Sequence, residues 1–109
     1  MPNTKLNEFY RDQLDRIRER FFAHGLPEYM WQGVEDWIVY AQKPGDFLCG
    51  VIQDSLFRAA HHADGTNKHL MKHWAEFFYN AMPVGSYGSI KQMQKWQDKR
   101  GFLGIQNAS

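Results

Sequence analysis

Apolar residues recur every three or four positions along nearly the whole chain, and no segment alternates apolar and polar residues as a half-buried strand does. That period restricts the fold class to all-α. It predicts a compact single-domain bundle of about five helices over residues 1–100. Leu6, Phe9, Tyr10, Leu14, Ile17 and Phe21 form the first stripe, from about residue 4 to 23, with Arg11, Asp15, Arg18 and Glu19 falling away from it. Gly25 suits a left-handed cap and Pro27 the first turn of the next helix. That second helix runs to about Gln42, with Met30, Val34, Trp37, Ile38 and Ala41 inward.

Lys43-Pro44-Gly45 is a break, after which Asp46 is placed to cap a third helix. Phe47, Leu48, Val51, Ile52, Ser55, Leu56, Ala59 and Ala63 continue one buried face to about residue 63, so this reads as one central helix. The small residues Gly50, Ala59, Ala60 and Ala63 let another helix approach it closely. Gly65 ends it and Thr66 caps a fourth helix, in which Leu70, Trp74, Phe77, Phe78 and Ala81 face the core and which Pro83 closes. Val84–Gly88 is an irregular loop. Ser89 and Gln92 have the spacing of a capping box for a short fifth helix with Ile90, Met93 and Trp96 inward. Residues 101–109 are small and polar and read as a frayed tail. Leu48, Leu56, Trp74 and Phe78 are the expected centre of the core.

With 109 residues the chain can bury one core, and its aromatic share of 16% exceeds what so small a core hides easily. Some aromatics are therefore expected at an interface or in a pocket, and a homo-oligomer is expected. The lone Cys49 excludes an intramolecular disulfide and fits a reducing compartment. No apolar run reaches the ~18 residues of a membrane span, and no signal-peptide layout precedes Lys5. These features predict a protein of the cytoplasm. A net charge of +1 argues against a general nucleic-acid binder. Residues 26–88 lean acidic, while Lys91, Lys95, Lys99 and Arg100 face only Asp98 at the end. This basic stretch reads as a solvated helix face or as the meeting place for an anionic partner.

Pro44-Gly45-Asp46-Phe47-Leu48 is followed by Val51-Ile52, Asp54 and Leu56, then Ala63-Asp64 and Asn67, Tyr79-Asn80, Pro83, Gly88-Ser89 and Trp96. In this order and spacing the chain resembles a family of small proteins from tailed phages and prophages. Their pattern reads P-G-x-F-L-x-x-V-(I/L)-x-x-D-x-L, A-D-x-x-N, Y-N-x-x-P, G-S and a later Trp. At Tyr87 many members of that family carry Trp. The resemblance covers about half the chain. It implies a phage context, hence the cytoplasm of the host, and it carries no agreed chemistry.

His69, His73 and Glu76 fall on one helical face and form a candidate metal set, but the Glu that zinc proteases place after the first His is missing. A solvated flank is the preferred reading, with no metal and no cofactor. His61 and His62 complement the C-terminal dipole of their helix. Asp54 and Arg58 have the spacing of a surface ion pair, unless Arg58 is free to clamp a phosphate. Cys49 reads as a packed thiol. No phosphate loop, G-x-S-x-G or paired Cys is present, so catalysis is not expected.

The stretch from Tyr79 to Lys91 offers hydroxyls, an amide, an aromatic plate and a helix N-terminus. The candidate ligand-binding residues are Arg58, Tyr79, Asn80, Ser86, Tyr87, Ser89, Lys91 and Trp96. The competing reading has Asn80 and Ser89 as caps and Tyr87 packed. Three functions are expected in descending order. The first is a phage anti-defence protein that sequesters a small nucleotide-like immune signal without catalysis. The second is an inhibitor that blocks a host defence protein. The third is a DNA-associated protein, for which only Lys91, Gln92, Lys95 and Lys99 share a suitable face.

Overall fold

Asn7 starts the first helix: its side chain accepts a hydrogen bond from the Tyr10 backbone N–H at 3.0 Å, satisfying an amide that a helix start leaves unpaired. The computed structural model describes residues 4–108, and among them there is no strand. Seven α-helices follow in order: α1 Glu8–Ala23, α2 Trp31–Tyr40, α3 Asp46–Ile52, α4 Leu56–His62, α5 Met71–Ala81, α6 Ile90–Lys99 and α7 Gly101–Ala108. Single 3₁₀ turns at Glu28–Met30 and Asn67–His69 lead into α2 and α5. The all-α class stands, but the helices number seven rather than five.

The first extra helix comes from a break in the expected third one. Asp54 adopts a left-handed backbone (φ 57°), which ends α3, and the Ser55 hydroxyl accepts from the Arg58 N–H to start α4. The chain reverses, so α4 packs back on α3 instead of prolonging it. Gly50 and Ala59 permit the close approach: a Cβ on Gly50 would lie 2.5 Å from the Ala59 backbone N. Small residues thus serve a close contact as expected, but one between the two halves of the same segment. Leu48, Trp74 and Phe78 are buried. Leu56, expected beside them, is 69% exposed because it begins α4 on the outer side of the bend.

Of residues 101–109, read as a frayed tail, Gly101–Ala108 form α7, and Ser109 lies outside the described residues. Arg100 and Gly101 both have positive φ and turn the chain sharply after α6. Gly101 then lies directly on the end of α2, where a Cβ would sit 2.6 Å from the Val39 carbonyl oxygen. Phe102 anchors the helix, buried against Tyr10 and Trp96 with ring centroids 5.0 and 6.0 Å away.

Aromatic rings fill the centre. Phe21 is fully buried and meets Trp31, Trp74 and Phe77 edge-on at 5.2–5.7 Å. Three buried indoles each find an acceptor: Trp37 donates to the Ser86 carbonyl at 2.9 Å, Trp96 to the Trp37 carbonyl and Trp74 to Asn67 Oδ1, both at 2.8 Å. These bonds tie α2 to the loop before α6, α6 to α2, and α5 to the turn that precedes it. Phe9, Tyr29, Tyr40, Phe57 and Tyr79 remain exposed, so the core does not absorb all the aromatics.

Candidate functional site

The break between α3 and α4 opens a groove of about 680 Å³ against α5. Its lining is mainly apolar: Val51, Leu56, Ala59, Met71, Trp74, Ala75, Phe78, Tyr79 and Tyr87. Leu56 on α4 and Tyr79 on α5, 82% exposed, stand up at its edges. Three charged residues line it: Asp54, Glu76 and Lys72, the last with its ammonium 4.0 Å from the Glu76 carboxylate. Gly88 completes the wall, its N–H donating to the Ile52 carbonyl at 2.7 Å, which fastens the loop after α5 to the end of α3.

The eight candidate ligand residues do not come together. Tyr79, Asn80 and Tyr87 line the groove; the other five do not. Asn80 points its amide at the Glu76 carbonyl and its own carbonyl accepts from Arg20. Tyr87 packs its ring on Phe78 at 5.6 Å, leaving the side chain half-buried. Ser86 is fully buried, its hydroxyl donating to the Pro83 carbonyl at 2.7 Å. Ser89 caps α6 by accepting from the Gln92 N–H. Trp96 belongs to the core, and Lys91 is exposed on α6.

Arg58 is occupied elsewhere. Its guanidinium donates to Asp46 at 2.9 Å and to Gln53 Oε1 at 3.0 Å, so its ion-pair partner is Asp46 rather than Asp54. The Arg58 hydrogen bond holds the Asp46 carboxyl below its ordinary pKa. Asp46 is accordingly the first residue of α3, not its cap; Gly45 takes that position.

The Ala63-Asp64 and Asn67 pair forms a structural staple. Asp64 accepts from the Thr66 and Asn67 backbone N–H groups at 3.1 and 2.7 Å and from the Tyr29 hydroxyl at 2.5 Å. Asp64 therefore does the work expected of the Thr66 side chain. The Tyr29 hydrogen bond lowers the Asp64 pKa and, in return, raises that of Tyr29. Cys49 is buried, its thiol donating to the Pro44 carbonyl, and burial pushes its pKa up.

His69 lies in the 3₁₀ turn before α5, so the helical offsets that would align it with His73 and Glu76 do not apply. His73 Nδ1 sits 3.0 Å from the His24 carbonyl oxygen. Among the described residues no three His, Cys, Asp or Glu side chains are grouped to hold a metal ion. No helix among them is long and apolar enough to cross a membrane.

Of the residues that carry the phage-family resemblance, Phe47, Leu48, Asp64, Asn67, Ser89 and Trp96 are used by the fold itself. Asp54, Leu56, Tyr79 and Asn80 instead line the groove. Sequence reasoning named the last two as ligand candidates; it singled out Asp54 only for an ion pair, Glu76 only for a metal set and Leu56 only for the core, and it singled out neither Met71 nor Lys72. Asp54-Ser55 is a turn-forming pair, and that was the available signal for a break exposing Leu56. Compared with protein-family models, with curated proteins and with solved structures, the chain matches none.

Proposed function

We propose that this is a phage anti-defence protein that acts by binding rather than catalysis, and that it blocks a host defence protein by seating an apolar segment of it in the α4–α5 groove. One observation carries the choice between the two leading readings: the groove is apolar and its charged residues are two carboxylates and one ammonium. An apolar side chain entering it gains by leaving water. A nucleotide signal would bring phosphates to Asp54 and Glu76 with only Lys72 to offset them. The cation once available for a phosphate clamp, Arg58, is paired with Asp46. The phage context rests on the sequence resemblance, and an apolar groove alone fits a host protein in any bacterium.

The test is native mass spectrometry of the protein recovered from infected cells, beside a Leu56→Glu variant. A host polypeptide kept by wild type and lost by the variant is the expected result. A retained nucleotide in place of a polypeptide would return the sequestration reading to first place.

A further inference from the structure

Charge is unevenly spread over residues 90–100. Lys91, Lys95, Lys99 and Arg100 stand there against Asp98 alone, whereas α1 balances four arginines with four carboxylates. The lysines recur at a spacing of four and form a slanting column on the side of α6 turned away from the buried Met93 and Trp96. All three are exposed, as is Arg100, and none of the four lies within ion-pair distance of a carboxylate among the described residues. Successive lysines rise by about 6 Å along the helix, close to the step between phosphates of an extended strand.

The column runs into a second groove. A recess of about 890 Å³ at the joint of α2, α6 and α7 is lined by Tyr40, Asp98, Lys99, Arg100, Leu103 and Ile105 among others. It shares no residue with the α4–α5 groove. Tyr40 is 52% exposed. Among the described residues its ring meets no other ring and its hydroxyl has no hydrogen-bond partner. Lys99 belongs to both features, the last member of the column and part of the groove lining.

These two halves act on different parts of one ligand. A row of unpaired cations attracts a run of negative charges, and an aromatic plate beside two of those cations takes a flat ring. An acidic peptide would use the row and leave Tyr40 idle. A duplex keeps its bases stacked inside, away from a ring in a recess. A single strand supplies both phosphates at the lysine step and a base free to turn into the groove. The whole-chain charge of +1 does not oppose this, because counterion release depends on the local row of cations.

We propose that the protein binds single-stranded nucleic acid along α6, with phosphates on Lys91, Lys95 and Lys99 and a base against Tyr40 in the α2–α6–α7 groove. Arg100 adds a cation to that groove and Asp98 offsets one. These contacts reach phosphates and a base face, not a sugar hydroxyl, so DNA and RNA strands bind alike. The strand and the proposed host segment occupy separate surfaces, and a host complex stripped of nucleic acid shows only the α4–α5 contact.

The test is fluorescence anisotropy of a labelled mixed-sequence strand of about 12 nucleotides, as DNA and as RNA, titrated with the purified chain at roughly 50–200 mM salt. Wild type should bind both, with log affinity falling against log salt at a slope of about −2 to −3, as three or four phosphate contacts give. Lys95→Gln should reduce that slope by ~0.7, and Asp98→Asn should tighten binding. Tyr40→Leu should weaken binding at least about fivefold with the slope unchanged, which a purely electrostatic surface would not show. Lys68→Gln, at an exposed lysine before α5, should leave binding as it is. Every substituted side chain is exposed, so thermal melts should coincide with wild type and separate lost binding from lost folding. No anisotropy change at the lowest salt, or binding that survives both Tyr40→Leu and Lys95→Gln, overturns the proposal. So does a polyglutamate peptide that displaces the strand at equal concentration, which would assign the face to an acidic protein. A duplex that binds as tightly as the single strand overturns it as well. None of these results touches host-protein docking, whose readout is the polypeptide retained from infected cells.

Discussion

Asn67 is 2% exposed and bonded on every side: its backbone N–H donates to Asp64, its amide donates to Tyr29, and its oxygen accepts the Trp74 indole. Asn67→Ala would leave the buried indole N–H without a partner and should destabilise the protein by about 1–3 kcal/mol in urea unfolding. The neighbouring Asp64 gives a pH dependence. Its carboxyl pKa is depressed in the folded protein, chiefly by the Tyr29 hydrogen bond. The stability it contributes is therefore complete above the unfolded carboxylate range and lost as pH falls through the lower folded value. Tyr29, raised by the same bond, loses its contribution only as pH climbs past the usual phenol range. Asp64→Asn should flatten the acid limb of a melting-temperature profile below about pH 4; an unchanged limb would remove Asp64 from the account. The spacing of Asp64 and Asn67 was readable as a motif, but its role was not. Helix capping by a residue two or three positions upstream looks the same in sequence as a cap by Thr66.

At the scale of elements, α3 and α4 separate what sequence can and cannot convey. The apolar period from Phe47 to Ala63 is continuous, because each short helix turns its own apolar side to the core and the reversal happens to keep the phase. Period alone therefore reads one helix. Two consequences are measurable. Leu48→Ala should cost about 2–5 kcal/mol, as expected for a side chain 4% exposed. Leu56→Ala should change stability by no more than about 0.5 kcal/mol, whereas a single 46–63 helix with Leu56 inward would make the two losses alike. Gly50→Ala tests the elbow itself. Its Cβ would meet backbone atoms of Ala59 that have no rotamer to move, so a loss of at least 1–3 kcal/mol in chemical unfolding is expected. The helix α7 was hidden for a different reason: Gly101 and Gly104 read as coil although Phe102, Leu103 and Ile105 are apolar. The burial of Phe102 depends on Tyr10, distant in sequence, and on Trp96 across the sharp turn at Arg100 and Gly101.

Across the whole molecule, the buried face was largely legible and the binding face was not. Trp37, Trp74, Phe77, Phe78 and Trp96 stood out through helical period, and all are buried. A groove is a property of several elements at once, and it exists here only because α3 and α4 fold back and Gly88 fastens the following loop to Ile52. The basic residues of α6 and the turn after it, Lys91, Lys95, Lys99 and Arg100, lie exposed and outside that groove. The two surfaces therefore make opposite claims on a partner. Hydrogen–deuterium exchange tests which one is used, comparing the isolated protein with the complex recovered from infected cells. The groove reading predicts new protection confined to residues 50–59 and 71–80, with 90–100 unchanged. Protection over 90–100 with the α4 and α5 amides unaltered would contradict it and assign the partner to the basic helix.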